Sequence, residues 1–237
     1  MFAYSVQGEL GRSGLRIWPQ NGTLWKALVD KYRELMTQEP NAAISRPMFN
    51  NVILVGFMGA GKSSVGRILA RRLGRCFVET DDMIVAKEGM SIAEIFTTRG
   101  EPYFRALEEN VVNLLALKRD DVIATGGGLP CREGRPEMLR TLGTMVWLSG
   151  DFETLYERAV KMGQRPMLAS RSREDAEALY RARTAFYCPA HLSVDTTALG
   201  PDQVAARVIA ELRTHERTRH TDGGAVRLPV ARAPAPR

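Results

Sequence analysis

Residues 56–63 read Gly56-Phe57-Met58-Gly59-Ala60-Gly61-Lys62-Ser63, and this stretch decides the fold. It matches the pattern G-x-x-x-x-G-K-[ST] of a phosphate-binding loop. An apolar run, Val52 to Val55, precedes the loop, and a helical pattern from Val65 to Leu73 follows it. A buried strand, a glycine-rich turn and a helix form the context that this motif requires. The sequence therefore predicts a site for nucleotide phosphates.

Each part of this loop has a physical role. Its glycines allow consecutive backbone N–H groups to face inward, and the following helix directs its positive end to the same place. The Lys62 ammonium adds charge for the β- and γ-phosphates, and the Ser63 hydroxyl is placed to bind Mg²⁺. The residues expected to contact the nucleotide here are Gly59, Ala60, Gly61, Lys62, Ser63 and Ser64.

Strand and helix patterns alternate from Asn51 to about Arg213. Short apolar runs predict strands at Val52–Val55, Cys76–Val78, Val122–Ala124, Met145–Leu148 and Leu192–Val194. A capping box, Ser91 to Glu94, opens one helix. Amphipathic patterns predict further helices at Glu101–Lys118, Phe152–Lys161 and Gln203–Leu212. Strands that alternate with helices imply a parallel sheet covered on both faces, which is an α/β fold.

Two terminal segments flank this region. Residues 1–50 form an extension in which Thr23 to Met36 has the spacing of a short amphipathic helix. This helix could pack on the domain or serve a partner, and the sequence does not choose between them. Residues 214–237 are rich in Arg, Pro, Ala and Gly with little periodicity, so we expect a disordered basic tail.

Composition limits the function classes. The net charge is +6, but the arginines are scattered without interleaved aromatic residues, so we expect no nucleic-acid partner. No run approaches the roughly 18 apolar residues that cross a bilayer, so we expect no membrane association. The 3 cysteines fit neither a zinc site nor a disulfide framework, and no secretion signal is evident. We therefore expect a cytoplasmic protein, and a monomer.

Four further features could contribute to a ligand site. Two of them, an acidic segment and a glycine turn, directly follow predicted strands, where ligands bind in α/β sheets. The four are Glu79-Thr80-Asp81-Asp82, Phe104-Arg105-Ala106-Leu107-Glu108, Thr125-Gly126-Gly127-Gly128 and Arg165-Pro166-Met167-Leu168 with the polar segment Ala169 to Asp175 that follows it. Each has an ordinary alternative: a helix-capping acidic turn, a solvated arginine, a flexible turn and a plain surface loop. As ligand elements they would supply carboxylates, a cation, close backbone approach and a lid that closes over phosphate.

Taken in this order, the motifs resemble the shikimate kinase family over residues 51–213. The resemblance lies in G-F-M-G-A-G-K-S, D-D-M-I, S-I-A-E-I-F, F-R-x-x-E, the G-G-G turn, R-P-M-L and the segment Arg183 to Tyr187. It implies a three-layer α/β/α P-loop kinase fold with a five-stranded parallel sheet. It also implies transfer of the ATP γ-phosphoryl group to the 3-hydroxyl of shikimate, a step of aromatic amino-acid biosynthesis, with Mg²⁺ as cofactor.

The resemblance further implies a role for each matching residue. Asp81 would bind the shikimate hydroxyls and could accept the proton, with Lys62 and Arg165 completing the catalytic set. Arg105 and Arg183 would bind the carboxylate, and the Gly127 backbone would touch the ring. Arg158 would stack on adenine, and Arg165 would reach from the lid to the phosphates. Arginine suits a carboxylate because its planar fork pairs with both oxygens.

The sequence departs from the family at two places. Glu79 stands where the family usually has Asp, and we expect it to reach Mg²⁺ through water together with Ser63. The segment Thr196 to Gly200 lacks an arginine that the family often has near adenine. Two alternatives remain open at this stage. One is a related kinase for gluconate or a nucleotide, and the other is a kinase-like module that senses its ligand to regulate a partner.

Overall fold

The structure is a computed structural model that describes residues 50–161 and 172–221, and the side chains only as far as residue 218. The expected N-terminal helix, Thr23 to Met36, lies outside these residues. So do Arg165 and most of the predicted lid.

A five-stranded, all-parallel sheet forms the centre of the molecule, in the order β2-β3-β1-β4-β5. The strands are β1 (Asn51–Val55), β2 (Phe77–Glu79), β3 (Val122–Ala124), β4 (Gly143–Ser149) and β5 (Leu192–Asp195). The predicted five-stranded parallel sheet is confirmed. Every residue of β1 is buried, because it lies between β3 and β4 with helices on both faces.

Helices on both faces complete a three-layer α/β/α arrangement. The helices are α1 (Lys62–Leu73), α2 (Thr80–Glu88), α3 (Ile92–Leu115), α4 (Arg135–Leu142), α5 (Phe152–Lys161), α6 (Arg173–Tyr187) and α7 (Pro201–Thr221). Helices α1 and α7 pack on each other, as do α2 and α3, and α5 and α6. Within the described residues, no helix is both long enough and apolar enough to span a membrane.

The start of β1 is fixed by a buried polar side chain. Asn51 is fully buried, and its amide donates to the carbonyls of Lys118 (2.9 Å) and Leu142 (2.8 Å). Its side-chain oxygen accepts from the N–H of Asp121 at 3.0 Å. A buried side-chain amide whose donors and acceptor are all paired stabilises one strand register relative to shifted registers. The central strand is thereby aligned so that its carboxyl end leads directly into the phosphate loop.

Helix α3 joins two segments that the sequence predicted as separate helices. The predicted capping box at Ser91 and Glu94 is confirmed, with the Ser91 hydroxyl accepting from the Glu94 N–H at 3.2 Å. The helix kinks at Gly100, whose φ of 79° and ψ of 171° are non-helical, and Pro102 follows two residues later. The kink redirects the second segment, and this segment brings Arg105 to the ligand edge of the sheet.

The C-terminal expectation needs a correction. Helix α7 runs to Thr221 instead of ending at Leu212, so the prediction of a disordered tail is wrong for residues 214–221. The side chains of Thr214 and Thr218 donate to the carbonyls four residues before them, which is compatible with a continuing helix. Residues 222–237 lie outside the described part of the chain.

The sequence predicts no bounds for three of the helices, α2, α4 and α6. Helix α4 starts at a Gly-Arg-Pro turn and is short. Helix α6 begins at Arg173 behind a capping box, Ser172 with Asp175, inside the polar stretch that was assigned to the lid.

Candidate phosphotransfer site

The phosphate-binding loop has backbone conformations that glycine adopts without strain. Gly59 and Gly61 have φ values of 80° and 82°, in the left-handed region that disfavours other residues. A Cβ on Gly59 would overlap the Leu155 carbonyl of helix α5. Gly61 caps helix α1 without any side-chain hydrogen bond. No side chain of the cap therefore competes with an anion for the first N–H groups of α1.

Lys62 is folded back onto this loop. Its ammonium donates to the carbonyls of Gly56 (2.7 Å) and Phe57 (3.0 Å), and the residue is buried. These contacts hold a positive charge beside the N-terminus of α1. A phosphate bound at the helix end would therefore meet a cation already in place.

Ser63 and Glu79 lie side by side. The Ser63 hydroxyl donates to Oε1 of Glu79, and Oε2 of the same carboxylate lies 3.4 Å from Nη2 of Arg67. The structure thus brings together the two residues predicted to serve the metal. Within residues 50–161 and 172–218, no three His, Cys, Asp or Glu side chains cluster as a metal site. One hydroxyl and one carboxylate are a small set of oxygen ligands, which suits Mg²⁺ when phosphates and waters supply the rest.

Asp81 occupies the first turn of α2, immediately after β2. The preceding Thr80 is fully buried, and its hydroxyl accepts from the N–H of Gly126 at 2.8 Å. A Cβ on Gly126 would overlap Oδ1 of Asp81, so the carboxylate lies directly against the glycine turn. Both Asp81 and Gly126 line one cavity together with residues of the phosphate loop.

Arg105 is held between two carboxylates of its own helix. Its guanidinium donates to Glu101 at 2.6 Å and to the buried Glu108 at 2.7 Å. Burial acts to lower the pKa of Arg105, but the hydrogen bonds and charges of Glu108 and Glu101 outweigh burial and raise that pKa. The guanidinium is therefore charged and oriented while only partly exposed to water.

Arg183 reaches the same place from helix α6. It is 8% exposed, and its guanidinium lies against the glycine turn. A Cβ on Gly128 would stand 2.9 Å from Nη1 of Arg105 and 3.3 Å from Nη2 of Arg183. The two guanidinium groups therefore converge above this turn. We call Asp81, Arg105, Gly126–Gly128 and Arg183 the glycine-turn side of the site.

Arg158 projects from helix α5 on the other side of the phosphate loop. Its guanidinium donates to the carbonyls of Thr196 (3.0 Å) and Thr197 (2.9 Å) after β5. Arg158 thus contacts the segment that lacks the arginine usual in the family. The predicted adenine contact, Arg158, and the segment without the family's arginine are therefore neighbours in space.

The structure gathers most of the predicted site residues around a single cavity. Its lining residues are Gly59, Gly61, Lys62, Ser63, Ser64, Glu79, Asp81, Thr125, Gly126 and Gly127. Arg105 and Arg183 adjoin it at the glycine turn, and Arg158 lies behind the phosphate loop. Arg165 is outside the described residues, so its predicted place over the phosphates stays a prediction.

Sequence reasoning missed three supporting residues. Glu108 was quoted in the motif with Arg105, and its spacing of three residues on a helix could have identified it as an ion-pair partner. Thr80 and Tyr187 gave no comparable signal, because their partners in the glycine turn are far away in sequence.

Comparisons with known proteins agree on the class and the family. The family model for shikimate kinase matches residues 58–213. A shikimate kinase from Geobacter metallireducens is 42% identical over 173 residues, covering 72% of this chain and 97% of that protein. One from Persephonella marina is 36% identical over 163 residues, covering 69% and 99%. A structure of shikimate kinase from Acinetobacter baumannii in complex with shikimate aligns with a TM-score of 0.67 at 33% identity, covering 72% and 96%.

The sheet order, the phosphate loop and the side chains converging beside it define a P-loop kinase of the α/β/α type. Within that class, the family is shown by the family model, which matches residues 58–213, and by the 36% and 42% identity to the two relatives. The chain belongs to the shikimate kinase family.

Proposed function

We propose that this protein transfers the γ-phosphoryl group of ATP to the 3-hydroxyl of shikimate, giving shikimate 3-phosphate. One observation carries the proposal: two arginines and an aspartate converge on a glycine turn that shares a cavity with the phosphate loop. Shikimate has a carboxylate and several hydroxyl groups on one carbon ring. Its site therefore needs cations at one end and a hydrogen-bond acceptor at the other. The glycine-turn side offers both.

Arg105 and Arg183 bind the shikimate carboxylate in this proposal. Each guanidinium presents several N–H donors in a rigid plane, which pairs well with two carboxylate oxygens. Burial of Arg183 and the pairing of Arg105 with buried Glu108 fix both groups before the substrate arrives. Little side-chain entropy is then lost on binding, which favours affinity.

Asp81 accepts a hydrogen bond from the substrate hydroxyl and takes its proton during transfer. A carboxylate at this position lies between the glycine turn and the phosphate loop, so it is placed to orient the attacking oxygen. Phosphoryl transfer needs little covalent chemistry from the protein. Positioning and neutralisation of charge supply most of the rate acceleration.

Lys62 and the N–H groups of residues 59–64 bind the ATP phosphates. The uncapped start of α1 and the buried ammonium provide positive charge where negative charge accumulates. Arg158 contacts the adenine from α5, held by the carbonyls after β5. Arg165 contacts the phosphates from the segment between α5 and α6.

Mg²⁺ fits the donor set next to the phosphate loop. Ser63 and Glu79 would hold the ion through the hydroxyl and, through water, the carboxylate. When bound, the ion neutralises charge on the β- and γ-phosphates. Glu79 is already in contact with Ser63, so the extra methylene compared with Asp does not separate the two groups. We also propose that the protein acts as a cytoplasmic monomer, without nucleic acid or membrane as partners.

Calorimetric titration with shikimate, gluconate and AMP tests the substrate class. Shikimate should bind saturably with the arginine pair intact, and gluconate and AMP should bind at least tenfold more weakly. Gluconate lacks the ring, and AMP would need a base pocket on the glycine-turn side. Binding of gluconate or AMP in preference to shikimate would refute the proposal in favour of the related small-molecule kinases.

A regulatory ligand sensor is the second alternative. The assembled set of Lys62, Ser63 and Asp81 supports catalysis over sensing alone, because binding by itself needs no positioned base. Deletion of residues 1–49 and 222–237 tests whether the terminal extensions contribute to the activity. Unchanged turnover would leave these extensions without a catalytic role.

A further inference from the structure

The glycine turn after β3 is held by hydrogen bonds to residues outside it, some nearby and some distant in sequence. The N–H of Gly126 donates to the buried Thr80 hydroxyl at 2.8 Å. The carbonyl of Gly126 accepts from the N–H of Leu129 at 3.1 Å. Glycine has no side chain to restrict its backbone, so a turn of three glycines depends on such external bonds for one conformation.

The carbonyl of Gly127 carries the most distinctive of these contacts. It accepts from the Tyr187 hydroxyl at 2.6 Å and from the half-buried Cys131 thiol at 3.4 Å. Tyr187 is fully buried at the end of helix α6. Burial raises the pKa of Tyr187 well above its ordinary value and also raises the pKa of Cys131. Both groups therefore keep their protons and donate near neutral pH.

The hydrogen bonds to these carbonyls also fix the direction of the N–H groups in the same peptide units. No described peptide bond is cis, so each N–H points opposite to the carbonyl of the same unit. Since the Gly127 carbonyl faces Tyr187 and Cys131, the N–H of Gly128 faces away from them. By the same argument, the N–H of Gly127 faces away from Leu129. The turn is thus fixed beside the guanidinium groups of Arg105 and Arg183.

We propose that Tyr187, assisted by Cys131, is a positioning residue that holds the glycine turn in the conformation that binds shikimate. This inference rests on the proposed function. Tyr187 follows Arg183 by four residues on α6, so both project from the same side of the helix. One helix therefore supplies a cation for the substrate and the hydroxyl that fixes the opposing backbone.

Tyr187→Phe tests the proposal, because it removes only the hydroxyl and leaves the buried Gly127 carbonyl short of one donor. We expect the KM and Kd for shikimate to rise about tenfold, in line with the loss of one hydrogen bond to a buried acceptor. The KM for ATP should change less than about twofold, because the phosphate loop has separate hydrogen bonds. A general structural defect would instead affect both substrates.

Tyr180→Phe is the matched control. Tyr180 also lies on α6, and its hydroxyl also donates to a glycine carbonyl, that of Gly150, at 2.9 Å. Thermal melting of both variants shows whether each loses similar stability. We expect the shikimate KM to change only in Tyr187→Phe. Equal changes in the two variants, or an equal rise in both KM values of Tyr187→Phe, would overturn the inference.

The wild-type protein separates this inference from the proposed function. A wild type that neither binds nor phosphorylates shikimate refutes the function. An active wild type with an unaltered shikimate KM in Tyr187→Phe refutes only the positioning role. Should Tyr187→Phe not fold, Cys131→Ala against Cys131→Ser decides. We expect a rise of about threefold in shikimate KM for alanine and less for serine, which keeps a donor. No rise for alanine would overturn the inference.

Discussion

The two sides of the cavity are assembled differently. The phosphate-loop side, residues 56–64, is one continuous stretch, and its polar contacts come largely from its own backbone. The glycine-turn side draws its groups from separate segments. These are the start of α2, the second part of α3, the turn after β3 and helix α6.

This contrast has consequences for substitution. On the phosphate-loop side, backbone conformation determines the contacts, and glycines at positive φ are the sensitive positions. On the glycine-turn side, charged side chains supply the contacts, and further residues lie behind them. Glu108 pairs with Arg105, and Tyr187 donates to the Gly127 carbonyl of the turn. Variants on the two sides should therefore alter different kinetic parameters.

Asp81→Asn should have the largest effect. Loss of the positioned base and orienting acceptor should lower kcat by about 10²- to 10⁴-fold, with the fold preserved. Steady-state turnover and circular dichroism test this together. Asp82→Asn is the control, since Asp82 is an exposed neighbour in the same helical turn. A kcat near the wild-type value in Asp81→Asn would remove Asp81 from the chemistry.

Arg105→Ala should have the second-largest effect, and it should change the KM for shikimate far more than the KM for ATP. The substitution removes one of the two cations proposed to bind the shikimate carboxylate, and it leaves buried Glu108 without its ion pair. We therefore expect the shikimate KM to rise about a hundredfold. The ATP KM should change by less than about threefold. Arg99→Ala on the same helix is the control, since Arg99 is exposed and stacks on Tyr103 instead. A similar rise in both KM values would mark Arg105 as structural.

Glu79→Gln should affect only the phosphate-loop side, because the Glu79 carboxylate contacts Ser63 of that side. It removes the negative charge beside Ser63, so the Mg²⁺ concentration for half-maximal rate should rise about tenfold. The shikimate Kd measured without nucleotide should stay within about twofold. Titration of Mg²⁺ at fixed ATP provides the measurement. If the Mg²⁺ requirement does not move, Glu79 has no part in holding the metal.

The smallest effect concerns stability at alkaline pH. Burial raises the pKa of Tyr187 well above its ordinary value, so only the unfolded chain loses this proton near pH ~10. The stability from the neutral phenol is present below that pH and falls as pH rises further, by at most about 1.4 kcal/mol per pH unit. Tyr187→Phe lacks this titration.

Urea unfolding of the wild type and of Tyr187→Phe between pH 8 and 11 measures the difference between their free energies of unfolding. Groups that do not interact with Tyr187 cancel when the two free energies of unfolding are subtracted. Cys131 and Arg183 interact with Tyr187 and contribute to the difference. The gap between wild type and variant should narrow above pH ~10. A constant gap would mean that Tyr187 is not kept neutral by the fold.

The same contrast explains how far the sequence could predict the structure. The phosphate loop and the five strands are local patterns, so Gly59–Ser63 and β3 were found where the structure has them. The end of α7 was missed because a polar, basic stretch carries little apolar periodicity. Helix α4 is only 8 residues long and has Pro136 in its first turn, so its pattern was weak.

The glycine-turn side could be predicted only through the family resemblance. Arg105 on an amphipathic helix looks like any solvated arginine until the kink at Gly100 is known. The partners Tyr187 and Gly127 are 60 residues apart in sequence. Such a contact depends on the packing of α6 against the sheet, and local propensity does not encode it.

We propose that both sides of the cavity act on one reaction, and a coupled assay of ADP release tests this most directly. With MgATP, we predict turnover with shikimate and only background release with gluconate or no acceptor. Lys62→Ala should reduce the shikimate-dependent rate to background, because the phosphates lose their buried cation. ATP binding without shikimate-dependent release of ADP by the wild type would contradict the account.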